Sequence, residues 1–212
     1  MIVCRVHSDV DDMRGKRVLV FLRPQAPQTD YLVHAWKELE ISSGATAQFV
    51  FDDTVSARIV TTNRRGNRIL SAQRVVQPGQ LLLATRPDGL SPALTEAPSG
   101  MAVDRLMAQQ YGVYNETYPY TSVDCLWQIG GSPVVTMPNL DWGMTCTFDY
   151  LPMFYFMIAA PMLSGENFTA LAFTDMTAYA LRPGISTLDV RVVRDQGRWL
   201  FSFVTDLDEE MY

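Results

Sequence analysis

The chain carries two histidines, His7 and His34, three cysteines, Cys4, Cys125 and Cys146, and two short acidic runs. From such residue types a nucleophilic, acid–base or metal site would be built. His7 stands beside Ser8 and Asp9, the three side chains of a hydrolytic triad. Sequence neighbours do not converge on one substrate atom, because a triad is assembled by the fold from separated positions. His34 lies among apolar neighbours, the setting of a half-buried, hydrogen-bonded histidine. Neither is expected to be catalytic. The cysteines are odd in number and lack the close pairing of a zinc knuckle, and no HExxH sequence occurs. They read as reduced, buried thiols. "DVDD" (9–12) and "DLDEE" (206–210) offer carboxylate oxygens, but neither has the glycine and distal glutamate of a calcium loop. Nucleophile elbow, phosphate-cradling loop and dinucleotide fingerprint are absent. The expectation is a non-enzymatic protein without metal or cofactor.

Aromatic residues are the stronger signal. Tyr111, Tyr114, Tyr118 and Tyr120 cluster in "QQYGVYNETYPY", a polar, turn-rich segment. A tyrosine ring offers an apolar face and a polar edge, so the segment suits a platform for a carbohydrate or small ligand, with Trp127 or Trp142 beside it. The same rings would serve equally to cap the open end of a β-sandwich. Arg64, Arg65, Arg68 and Arg74 form the one basic cluster. It reads as an anion patch or, more simply, as the charged tip and edge of a hairpin.

The elements that must position these residues are mostly strands. Of 212 residues nearly half are apolar, and the net charge is −6 with a pI near 4.9. That charge argues against a nucleic-acid partner, whose phosphates need a dense cationic face. The first residues have no apolar run long enough for a secretory signal, which points to a cytoplasmic protein. It also leaves the Asn115-Glu116-Thr117 and Asn167-Phe168-Thr169 acceptor patterns without meaning. "KRVLVFLRP" (16–24), "TAQFVFDDTVSARIVTT" (46–62), "ILSAQRVV" (69–76) and "QLLLATRP" read as strands separated by turn residues. "SVDCLWQIGGSPVVTM" reads as two strands joined at Gly130-Gly131. In "TLDVRVVRDQGRWLFSFV" (187–204), Leu188, Val190 and Val192 alternate towards a turn at Asp195-Gln196-Gly197, and Trp199, Phe201 and Phe203 alternate away from it. Those six side chains should face the core. Residues 29–40 fit a helix behind Asp30 or a strand, and 101–112 fits a helix ending at Gly112. The expected fold is all-β: one antiparallel β-sandwich domain over 1–212, with at most two short helices and an acidic tail at 205–212.

"DYLPMFYFMIAAPMLSGE" (149–166) is the most apolar stretch. Its uncharged core is shorter than the roughly 20 residues a membrane helix needs, and Pro152 and Pro161 interrupt it. A membrane is excluded. As a strand it points Met153, Tyr155, Met157 and Ala159 one way, and Phe154, Phe156, Ile158 and Ala160 the other. Neither set is polar, so both faces must be covered, by this chain or by a second copy. Met153, Phe154, Tyr155, Phe156 and Met157 are therefore candidate contacts of a homo-oligomer.

"LVHAWKEL" followed by "AQFVFDDTVSA", "LPMFYFMIAAPMLSGE" and "LDVRVVRDQGRWLFSF" resembles the layout of the bacterial rhizosphere-expressed protein family. The likeness spans about residues 18 to 204 and implies an all-β cytoplasmic protein. It carries over no catalytic residue.

Overall fold

Alternating β-branched and aromatic residues form strands wherever Gly, Pro, Asn and Asp do not intervene. The computed structural model describes residues 1–26, 30–63, 65–87, 89, 91–118, 121–159 and 176–209. Of these, 57 % lie in strands and 2 % in helix. The strands are β1 (Ile2–Ser8), β2 (Arg17–Pro24), β3 (Leu32–Val33), β4 (Lys37–Glu40), β5 (Thr46–Phe51) and β6 (Val55–Thr62). β7 (Arg68–Leu70), β8 (Arg74–Val75), β9 (Leu81–Thr85), β10 (Ala93–Glu96), β11 (Tyr111–Asn115) and β12 (Val123–Ile129) follow. β13 (Ser132–Leu140), β14 (Thr145–Phe148), β15 (Tyr150–Ala159), β16 (Thr177–Ala180), β17 (Thr187–Asp195) and β18 (Arg198–Thr205) lead to a single helical turn, α1 (Asp206–Glu209).

They build four sheets. The first has the order β18-β17-β1-β5 and the second β16-β15-β2-β4. The third runs β3-β13-β12-β6-β7, with β8 also on β6, and the fourth runs β10-β9-β11-β14. Two central pairs are parallel, β1 with β17 and β9 with β11; the other pairings among the described residues are antiparallel. A single sandwich would have two sheets. Period-two alternation reports which face of a strand is buried, not which sheet the strand joins, so the sequence pattern does not separate two sheets from four.

Ring contacts show which faces meet. Phe51 of the first sheet meets Phe154 of the second at 5.3 Å, and Phe156 meets Phe201 at 5.4 Å. Trp127 of the third sheet stacks on Phe148 of the fourth at 5.0 Å. Trp36, between β3 and β4, ties these units together. It stacks on Phe154, sets its edge against Phe49 and Phe51, and donates its indole N–H to the Ile129 carbonyl at 2.8 Å. One cluster of buried side chains continues through all four sheets.

The β17–β18 hairpin forms as its alternation requires. Val190 lies opposite Phe203 and Val192 opposite Phe201. Leu188, Val190, Val192 and Phe201 are buried, and Trp199 and Phe203 are half-buried against the same core. Gln196 and Gly197 both take positive φ, the type I′ turn that matches strand twist. Gly130 and Gly131 do the same between β12 and β13.

One expectation is corrected and one open alternative is resolved. Residues 101–112 do not form a helix: a run of turns ends after Leu106 N–H reaches the Ala102 carbonyl at 2.9 Å. Gly112 belongs to β11, where an added Cβ would come within 2.7 Å of the Leu106 and Leu81 side chains. The residue is small because Leu106 lies over the sheet, not because a helix ends there. Residues 32–40 resolve to the strand alternative, broken at Trp36. The acidic tail begins as a hooked turn, Asp206–Glu209. Asp206 accepts hydrogen bonds from Ser186, and Asp208 accepts them from Thr205 and Arg182. Those bonds hold both carboxyls below the usual carboxylate range.

Candidate functional site

The tyrosine segment is organised by Asn115 at the end of β11. Its side chain is fully buried and fully used. Nδ2 donates to the Thr121 and Leu140 carbonyls, both at 2.8 Å, while Oδ1 accepts from the Thr117 N–H and hydroxyl. The Asn115 backbone donates to the Met144 carbonyl and accepts from Gly143. One amide thus stitches the 116–122 loop to the 141–144 loop. These loops carry Tyr118 and Trp142, exposed by 70 % and 47 %.

The four tyrosines do not form one platform. Tyr111 shares the inner face of β11 with Val113, its ring 6.2 Å from that of Phe148. Burial, with the Asp53 charge adding, raises its phenol above the ordinary value. Tyr114 turns to the opposite face, where the Arg105 guanidinium lies 4.8 Å over its ring. Residues three apart in a strand cannot share a face. Tyr118 is on the loop, and Tyr120 lies outside the described residues. Trp127 is core. Among the described residues of the aromatic set, Tyr118 and Trp142 are the more exposed.

Beside these loops a cleft of about 330 Å³ opens between the third and fourth sheets. Asp30, Tyr31, Asp141 and Met144 stand around it, with Met137 and Cys146 among its lining residues. No Lys, Arg or His among the described residues lines it.

Neither histidine is among the residues that line this cleft. His7 Nδ1 meets the Thr46 hydroxyl at 2.6 Å and Nε2 meets Asp189 at 3.4 Å. Thr46, His7 and Asp189 come together from β5, β1 and β17, as triad members would. They lie on the open outer face of the first sheet, and none of the three is among the residues that line the cleft above or four further clefts among the described residues. His34 Nε2 meets the Thr136 hydroxyl at 2.7 Å, and burial, with the Arg68 charge, lowers its pKa. Arg68 pairs with Asp124 at 3.7 Å beside the β6–β7 tip, where Asn63 accepts from the Arg65 and Asn67 N–H groups. Arg64 lies outside the described residues. Asp12 of the first acidic run pairs with Lys16. Among the described residues no three His, Cys, Asp or Glu side chains converge as metal ligands.

β15 has the alternation expected of it. Phe154 and Phe156 are fully buried between the first and second sheets. Tyr155 and Ala159 turn the other way into a second small cluster with Leu19, Phe21, Val33 and Met176. Of the five candidate contacts, Met153 and Met157 retain partial exposure. Exposed apolar surface is found instead on the outer face of the first sheet. Val50, Leu200 and Val204 are 41 %, 42 % and 39 % exposed there. Val3 pairs with Val50, and Leu200 pairs with Val193.

Sequence reasoning missed Asn115 and that outer face. The signal for the first was Asn-x-Thr ahead of a turn, the pattern of an Asx turn, set aside as a glycosylation acceptor. The signal for the second was Leu200 and Val204 on the polar side of an otherwise regular alternation.

No family model matches the chain, and no curated protein or solved structure matches it either. The resemblance to the rhizosphere-expressed family rests on the quoted motifs alone.

Proposed function

We propose that this is a non-enzymatic structural or interaction protein, folded as a single unit, that associates with copies of itself through the outer face of the first sheet. The observation that carries this reading is Val50, Leu200 and Val204 standing in water on a regular four-stranded surface. The face alternates these side chains with Arg5, Asp189 and Arg191, and Arg5 lies 3.7 Å from Asp189. Four strands at roughly 4.8 Å and about seven residues at roughly 3.4 Å give a patch of about 450 Å². A standard interface buries about 800 Å² per partner. The assembly is therefore expected to be weak and concentration-dependent, with Met153 and Met157 as further contact surface.

Sedimentation velocity from low to high micromolar concentration tests this. A sedimentation coefficient that rises with concentration, and that Leu200→Asp with Val204→Asp holds at the monomer value, supports it. A wild-type chain monomeric throughout would overturn it.

A second reading is favoured by Tyr118 and Trp142, the two exposed rings on loops fixed by Asn115. They suit a carbohydrate face, each ring apolar on its plane and polar at its edge. Glycan-array binding lost in Trp142→Ala, with the melting temperature unchanged, would support that reading over self-association.

A further inference from the structure

Three sulfur atoms meet where the third sheet faces the fourth. Cys125 and Met137 are cross-strand partners on β12 and β13, while Cys146 reaches them from β14. The Cys146 S–H donates to Met137 Sδ at 3.0 Å, and the Cys125 thiol belongs to the same buried cluster. Cys125 is wholly buried and Cys146 and Met137 nearly so, yet the last two line the cleft described above. This buried sulfur group is bordered by a passage with Asp30 and Asp141 on its walls and the Met144 thioether, 59 % exposed, at its rim.

We propose that Cys125, Cys146 and Met137 form a binding site for a soft monovalent metal ion, Cu(I), approached through this cleft. Thiolate and thioether ligands select Cu(I) over harder divalent ions, and the carboxylates outside draw a cation inward. On binding, each thiol gives its proton to solvent, two sulfur–copper bonds form, and Met137 adds a third through a sulfur lone pair. Copper enters and stays as Cu(I), so no oxidant or reductant takes part. Metal–sulfur bonds of about 2.3 Å, as in zinc thiolates, set trigonal sulfurs about 4 Å apart. The 3.0 Å contact must open by about 1 Å, which the flexible methionine permits. The two cysteines are separated by 20 residues, which is why the search for close cysteine pairs passed over them.

The test titrates reduced, anaerobic protein with Cu(I) against a coloured Cu(I) chelator. One equivalent should leave the chelator, two protons should be released, and X-ray absorption should show a shell of three sulfurs. Met137→Leu and Cys146→Ala should each weaken binding by at least roughly tenfold, the loss that even an outer-shell partner produces. Cys4→Ala should bind as the wild type does. Cys125→Ala opens a cavity in the core, where Cys125 is wholly buried, so the wild-type absorption spectrum decides independently of that variant. Retention of all copper by the chelator would overturn the proposal, as would a shell of nitrogen or oxygen or equal losses in Cys4→Ala and Cys146→Ala.

Discussion

Replacing Trp36 by phenylalanine tests the claim that one side chain joins three of the four sheets. The indole is 3 % exposed, lies within 6 Å of Phe49, Phe51 and Phe154, and donates to the Ile129 carbonyl at 2.8 Å. Phenylalanine keeps a ring but removes the donor. Losing the hydrogen bond costs about 1 kcal/mol, or up to about 3 if the carbonyl is left unsatisfied. The smaller ring gives up roughly two methylene equivalents of burial, about 1.6 kcal/mol. The sum is about 2.5–4.5 kcal/mol, a large part of the roughly 5–15 kcal/mol a domain possesses. Urea melts followed by fluorescence and by far-ultraviolet circular dichroism would measure it, and heating should show the midpoint lowered by about 5–18 °C. The two probes should shift together, because the buried cluster is continuous. A loss under about 1 kcal/mol, or transitions that separate into two, would refute the reasoning.

Phe201→Ala removes a buried ring that touches Phe156 and should cost about 3–5 kcal/mol in denaturant; a value below about 1 would mean that the hairpin face is misassigned. Gly112→Ala drives a methyl into Leu106 and Leu81 and should cost about 1–3 kcal/mol. Leu106→Ala in the same chain should recover part of that loss, and no recovery would contradict the close approach. Burial, with the Arg68 charge, lowers the His34 pKa in the fold, so around and below its ordinary pKa of about 6.5 the unfolded chain binds more protons than the folded one. Stability should therefore fall as the pH drops from about 7 towards 5. His34→Gln should flatten that fall, and an unchanged slope would exclude His34 as its source.

What the sequence revealed followed from local geometry. Leu188 to Phe203 could be read because a two-residue turn fixes register, and Tyr150 to Ala159 because two apolar sets imply two covered faces. The division into four sheets was not legible. Val6 opposite Val190 and Val113 opposite Leu82 are parallel pairs, and no local turn announces a parallel partner. Residues 101–112 misled because Val103, Leu106 and Met107 stand three and four apart, as on a helix face, while Leu106 is spent covering Gly112. The sulfur trio escaped notice because its members come from three strands in two sheets and one of them is a methionine.

The parallel pairing of β1 with β17 also governs the order of events during synthesis. The first strand waits for a partner more than 180 residues later, as the His7–Asp189 contact records. Closing so long a loop is entropically costly and slow. β6 to β14 can pair among themselves while the ribosome is still making β15, so the middle of the chain is expected to form first. Until β17 emerges, at roughly 5–20 residues per second, Cys4, Val6, Val18 and Val20 have no finished core to enter and present an aggregation-prone surface. Pulsed hydrogen exchange should thus protect Ile59 and Trp127 before Cys4 and Val6, and simultaneous protection would refute this order. Cutting the chain before Thr187 should cost more than the lost hairpin: it leaves β1 beside a permanently open edge, a template for pairing with another chain.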